Sequence, residues 1–225
     1  MLLLPGLMCD TRIWAPQLAA FPDAVAVPDY PGCRSLQEMA RHALTLAPAR
    51  FALVGHSMGA RVALEVWRAA PERVTRIALL DTGVHMPRPN EAEGRHKLLN
   101  LGRTEGIEAL MQAWLPPMVA PANRANAAMM AELEQMVRDA GVDQFEDQIT
   151  ALLGRPNQEE VLPTITVPAL VGVGSLDIWS PPAQHEAIAA QIPDAELVIF
   201  EGAGHMAPVE APDQVNQALA AWLNA

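Results

Sequence analysis

Phe51-Ala52-Leu53-Val54-Gly55-His56-Ser57-Met58-Gly59-Ala60-Arg61-Val62-Ala63-Leu64-Glu65-Val66-Trp67 is the stretch that decides the fold. Its first four residues form an unbroken apolar run, as a strand covered on both faces of a sheet requires. From Met58 onward the pattern is helical, and between the two lies Gly-x-Ser-x-Gly. A chain passing from strand to helix this quickly needs small residues on both sides of the central position, which Gly55 and Gly59 supply. The turn strains the backbone at Ser57, exposes its hydroxyl, and leaves the Met58 N–H at a helix start, where it can face a developing oxyanion. The plain alternative is a glycine-bearing turn with an incidental serine; the strand before it and the helix after it favour chemistry. His56 adjoins the serine but points elsewhere in so sharp a turn, and reads as a packed, hydrogen-bonded histidine.

On either side of this stretch, short apolar runs alternate with amphipathic segments, which predicts an α/β fold with a mostly parallel sheet. The strand candidates are 2–4, 24–27, 51–54, 74–80, 169–173 and 196–200. Leu36, Met39, Ala40, Ala43 and Leu44 mark one helix face, and Val215, Ala218, Leu219, Trp222 and Leu223 another. Residues 84–163 break the alternation. They hold no strand candidate but show helical faces at Ile107/Leu110/Met111/Trp114/Leu115, at Met129/Leu133/Met136/Val137, and at Val142/Phe145/Ile149/Leu153. Stops are expected at Pro116-Pro117, Pro121, Gly141 and Gly154-Arg155-Pro156. The division is therefore a core of residues 1–83 and 164–225 with a helical cap or lid at 84–163.

A serine needs a histidine to take its proton and a carboxylate to orient the imidazole. Of the six histidines, His205 alone follows a strong strand directly, in Leu197-Val198-Ile199-Phe200-Glu201-Gly202-Ala203-Gly204-His205. His42, His85, His96 and His185 read as surface or cap residues. For the acid, Asp177 follows strand 169–173 in Gly174-Ser175-Leu176-Asp177-Ile178-Trp179-Ser180-Pro181. Its rival, Asp81, ends the strand 74–80 and reads as a carboxylate bracing a loop. The order Ser, Asp, His belongs with the Gly-x-Ser-x-Gly turn.

These segments resemble those of the α/β-hydrolase fold, along nearly the whole chain. The likeness is carried by Leu3-Leu4-Pro5-Gly6-Leu7, Asp29-Tyr30-Pro31-Gly32, Gly55-His56-Ser57-Met58-Gly59, Gly174-Ser175-Leu176-Asp177 and Gly204-His205-Met206-Ala207-Pro208-Val209-Glu210-Ala211-Pro212. The resemblance implies Ser57 as nucleophile, His205 as base, Asp177 as acid, and the backbone N–H groups of Leu7 and Met58 as an oxyanion hole. It implies no metal and no organic cofactor. It also implies a six-stranded sheet lacking the two usual N-terminal strands, with strand 24–27 at an edge beside strand 2–4. Pro5 replaces a histidine common in relatives, and Ala60 a glycine; neither removes the backbone donor at residue 7. The implied activity is that of an esterase-like serine hydrolase with a helical cap, acting on a small to medium, largely apolar ester. The same three residues could serve lactone or carbon–carbon bond hydrolysis, a lyase step or acyl transfer, and a silent ligand-binding member is the reading from another class.

Pocket candidates are Leu7, Met58, Ile178, Trp179 and Met206 from the core, with Met86, Trp114, Met118, Met129 and Met130 from the cap. No basic cluster lies near the motifs in sequence, and Arg61 reads as solvated or as supporting the site from behind. Among 225 residues, 26 acids against 15 bases give a formal charge of −11, which argues against nucleic acid or anionic lipid as partner. Apolar runs are too short for a membrane span, and Met1–Leu4 has no preceding cation to make a signal peptide. The two cysteines, Cys9 and Cys33, are expected as free buried thiols suited to a reducing cytoplasm. The lone lysine, Lys97, sits among polar neighbours and reads as solvated.

Overall fold

The computed structural model describes residues 1–224. Six strands form one sheet: β1 (Leu2–Leu4), β2 (Val25–Ala26), β3 (Phe51–His56), β4 (Val74–Leu80), β5 (Ala169–Gly174) and β6 (Glu196–Phe200). Their order is β2-β1-β3-β4-β5-β6, and every neighbouring pair is parallel, so the sheet is wholly rather than mostly parallel. Helices fill the connections: α1 (Ala15–Ala20), α2 (Leu36–Leu46), α3 (Met58–Ala69), α4 (Glu91–Glu105), α5 (Ile107–Trp114), α6 (Ala127–Leu153), α7 (Pro182–Ala189), α8 (Ala207–Glu210) and α9 (Pro212–Asn224). This is the six-stranded arrangement that the sequence resemblance implied, with β2 at an edge beside β1.

The central strands β3 and β5 are buried at every residue, which explains their continuous apolar runs. Each extends past its expected end, to His56 and to Gly174. The edge strand β2 is shorter than its expected span, and Val25 is exposed, since one side of an edge has no partner. Register places Leu4 opposite Gly55, His56 opposite Leu80, and Gly174 opposite Phe200. Because all strands run one way, the loops after β1, β3, β4, β5 and β6 emerge at the same rim. That rim gathers residues 7, 57, 81, 177 and 205.

Between β4 and β5 the chain forms α4, α5 and α6. The three apolar faces read from sequence fall on α5 and on two arms of α6, which breaks at Gly141 (φ 73°, ψ 173°). This positive φ is one that glycine adopts without penalty. Helix α4 had no apolar face to announce it. It packs on α5 and α6, with Leu98 and Leu99 against the core, and charge adds to this: Glu91 and Glu93 stand in the first turn, Arg103 in the last, and Arg95 Nη2 lies 2.9 Å from Glu91 Oε1 one turn away. Lys97 is exposed on this helix. Among the described residues no helix is long and apolar enough to cross a membrane.

Candidate active site

Strand β3 delivers Ser57 into left-handed backbone (φ 55°, ψ −115°), a conformation costly for a non-glycine residue. Its neighbours hold it there. Ser57 N–H donates to Leu80 O at 2.8 Å, and Thr82 Oγ1 donates to Ser57 O at 2.9 Å. The start of α3 packs hard on β1, since a Cβ at Gly59 would stand 2.2 Å from Leu4 O.

Ser57 Oγ lies 2.8 Å from His205 Nε2, and His205 Nδ1 lies 2.7 Å from Asp177 Oδ2. The other carboxylate oxygen accepts the N–H groups of Trp179 at 2.8 Å and Ser180 at 2.9 Å. Burial would raise the Asp177 pKa, but the charge and hydrogen bond of His205, with these two N–H groups, hold it below the usual value. An ionised Asp177 can only accept, so His205 carries its proton on Nδ1 and presents a free Nε2 to the serine hydroxyl.

The backbone of His205 is clamped from two sides. Its N–H donates to Met118 O at 2.8 Å, and its carbonyl accepts from His56 Nε2 at 2.7 Å. His56 is buried, and burial with the adjacent His205 pushes its pKa down to about 3, so it is a neutral brace for the His205 loop. Asp81 Oδ1 accepts the Gly174 N–H at 2.9 Å and ties β4 to β5. Burial, together with the charge of Asp177, raises its pKa well above the usual carboxylate range. Asp177, not Asp81, therefore meets His205.

The loop after β1 reaches the serine because residue 6 has no side chain: a Cβ there would lie 2.9 Å from His56 Nδ1 and 3.1 Å from Ser57 Cβ. Met8 N–H is tied to Gln148 Oε1 of α6 at 2.8 Å. The Leu7 and Met58 amides have no acceptor among the described residues and border the same cavity. The helical block thus holds two loops of this rim, through Gln148 and through Met118.

That cavity measures about 460 Å³ and contains Ser57 and His205 in its wall. Leu7, Met58, Trp114, Met118, Trp179 and Met206 line it, as do Leu98, Phe145 and Leu152. Ile178 does not: it is 72% exposed, because the turn that caps Asp177 directs its side chain to solvent. Met86 is also exposed, and Met129 and Met130 pack against the core instead of the cavity. His185, expected at the surface, is buried and accepts the Thr82 N–H at 2.8 Å on Nε2. The basic residues that are scattered along the sequence do meet in space. Arg61, Arg95 and Arg155, far apart in sequence, all line the cavity, with His85, Arg88 and Glu91. The one signal in the sequence was Arg61 itself, charged and placed directly after the serine turn; the structure buries residues 58–67 of that helix throughout. Cys9 is buried and Cys33 only half-buried, and both are free thiols. Among the described residues no group of three or more His, Cys, Asp or Glu side chains could hold a metal ion.

A family model described as the alpha/beta hydrolase family matches residues 1–218. A 2-hydroxy-6-oxononadienedioate/2-hydroxy-6-oxononatrienedioate hydrolase from a Pseudomonas species is 28% identical over 169 residues, covering 73% of this chain. The match spans about three fifths (60%) of that relative's length. Among solved structures, a thermophilic esterase from Thermogutta terrifontis in its malate-bound form superposes with a TM-score of 0.90 at 28% identity, over 99% of this chain and 88% of its own. The enol-lactonase from Burkholderia xenovorans LB400 shares the fold with a TM-score of 0.90 at 24% identity, over 100% of this chain and 90% of its own.

Proposed function

The chain belongs to the alpha/beta hydrolase family, and on that premise we propose that it is a serine hydrolase cleaving a small to medium carboxylic ester through an acyl-enzyme. The observation that carries this reading is the unbroken path from Ser57 Oγ to His205 Nε2 at 2.8 Å and from His205 Nδ1 to Asp177 Oδ2 at 2.7 Å. Ser57 attacks the ester carbonyl while His205 takes the hydroxyl proton, and Asp177 stabilises the imidazolium. The carbonyl electron pair collects on oxygen, which the unpartnered N–H groups of Leu7 and Met58 receive; losing one such donor costs about 3–4 kcal/mol. Collapse of this intermediate expels the alkoxide, which His205 protonates. Water, deprotonated by His205, then attacks the acyl-enzyme and releases the acid.

Residues 84–163 act as a cap: they roof the cavity and brace the loops that carry Leu7 and His205. Leu98, Trp114, Phe145 and Leu152 give the acyl group an apolar seat. The esterase neighbour at 28% identity supports ester hydrolysis. A second reading, carbon–carbon bond hydrolysis by the same residues, is favoured by the dienedioate hydrolase relative.

Turnover of p-nitrophenyl acetate, butyrate and octanoate by wild type and Ser57→Ala, with fluorophosphonate labelling in parallel, tests the assignment. Ester turnover and labelling that both vanish in Ser57→Ala are the expected result. Labelling without turnover of any ester would transfer the triad to carbon–carbon chemistry. Absence of both in the wild type would overturn the enzyme reading.

A further inference from the structure

In a chain of formal charge −11, the wall of the catalytic cavity is locally cationic. Arg61 comes from α3, Arg95 from α4, and Arg155 from the segment after α6. One carboxylate answers them. Glu91 receives Arg155 Nη1 and Nη2 at 2.6 Å each and Arg95 Nε at 2.9 Å. Although burial opposes it, these arginines hold the Glu91 pKa down to about 2, so Glu91 is fully ionised and fully engaged. Arg155 spends its Nε on His85 O at 2.9 Å.

Arg61 is left over. It is 7% exposed, and no carboxylate oxygen lies within 4.0 Å of it among the described residues. Its guanidinium makes two long hydrogen bonds among the described residues, both from Nη1, to His85 O at 3.3 Å and to Gln158 Oε1 at 3.4 Å. Burial, with the charge of Arg155, pushes its pKa down to about 9, which leaves it cationic at neutral pH. The neighbouring His85 cannot serve as an anion, and burial keeps it neutral with a pKa of about 4. A buried guanidinium without a counter-ion is unfavourable unless something else supplies the charge. Nε and Nη2 make no hydrogen bond among the described residues, and that edge is the one that a carboxylate meets with two parallel hydrogen bonds. Arg61 lies in the first turn of α3, four residues after Ser57, which caps that helix.

We propose that Arg61, backed by Arg155 and Arg95, is the subsite for a free carboxylate on the substrate, so that the ester cleaved at Ser57 is an anionic one, such as the hemi-ester of a short dicarboxylic acid. The apolar residues of the cavity take the methylenes between the two ends. The ester half of this statement rests on the serine-hydrolase reading; the carboxylate half does not.

The two halves separate in one set of experiments. Ser57→Ala protein is titrated calorimetrically with monomethyl adipate and with dimethyl adipate, and wild type is assayed for turnover of the same pair. We expect the hemi-ester to bind at least about tenfold more tightly, and kcat/KM to show the same preference. The preference should collapse in Arg61→Met, survive in part in Arg61→Lys, and shrink as salt is raised. Should Arg61→Met fail to fold, the wild-type preference and its salt dependence still decide. Selective binding to Ser57→Ala without wild-type turnover of either ester would uphold the subsite and overturn the ester reading. Equal binding of the two compounds, or turnover without preference, would overturn the subsite and leave the hydrolase intact.

Discussion

Replacing Asp177 by asparagine changes almost no volume, and the consequence can be worked out atom by atom. Oδ1 already accepts the N–H groups of Trp179 and Ser180, so the side-chain oxygen of asparagine must stay there to keep the turn. The amide nitrogen then occupies the site 2.7 Å from His205 Nδ1, where two donors face each other. The imidazole escapes by moving its proton to Nε2, and Nε2 can no longer accept the proton of Ser57. Loss of the charge-assisted hydrogen bond accounts for about 1.5–3 kcal/mol. The wrong tautomer brings the total to about 5.5 kcal/mol, a fall of about 10⁴ in kcat/KM. Asp81→Asn is the control. Its Oδ1 bonds Gly174 N–H, a bond that the asparagine side-chain oxygen keeps; its Oδ2 has no hydrogen-bond partner, and burial with the charge of Asp177 disfavours the negative charge that asparagine lacks. It should lose less than about tenfold. Hydrolysis of p-nitrophenyl butyrate at neutral pH, the rate of fluorophosphonate labelling, and melting temperatures of both variants make the comparison. If folded Asp81→Asn falls as far as Asp177→Asn, or Asp177→Asn keeps more than about a tenth of its activity, the tautomer argument is wrong.

Gly6→Ala pushes a methyl group against His56 Nδ1 and Ser57 Cβ, so kcat should fall about tenfold to a hundredfold while far-ultraviolet circular dichroism stays native; an unchanged kcat would show that the loop is not the oxyanion loop. His185 is buried with a pKa pushed from 6.5 to about 4 by desolvation. As pH falls through 6.5 the unfolded chain takes up a proton that the folded chain refuses, so stability present above that pH is lost below it. At about pH 5 this costs about 2 kcal/mol, and urea melts of His185→Gln should show a pH dependence flatter by that amount. An identical slope in the two proteins would mean that His185 is not held neutral. The thiols should separate under Ellman's reagent. Buried Cys9, whose pKa burial drives far upward, should react only after denaturation, whereas half-buried Cys33 should react in the native state; two fast native thiols would place Cys9 at the surface.

What the chain settles by itself is what depends on near neighbours. The apolar run 51–54, the small residues around Ser57 and the helical pattern after it are local facts, and they suffice for a strand, a strained turn and a presented hydroxyl. The same holds for His205 and Asp177, because a parallel sheet brings the end of every strand to one rim whatever the intervening loops contain. The break at Gly141 was legible for the same reason, and α4 was not, since its apolar residues follow no clear helical period and its packing on α5 and α6 exists only in the folded chain. Tertiary structure decided what fills the space above that rim. Arg61, Arg95 and Arg155 lie up to 94 residues apart (155 − 61), and only the placement of α3, α4 and the segment after α6 around one cavity makes them one cationic wall answered by one glutamate. It likewise turned Ile178 to solvent, buried His185 under Thr82, and lent the Met118 carbonyl to His205. A motif is written along the backbone, whereas the charge balance of a cavity is a sum over side chains that meet only once the chain is folded.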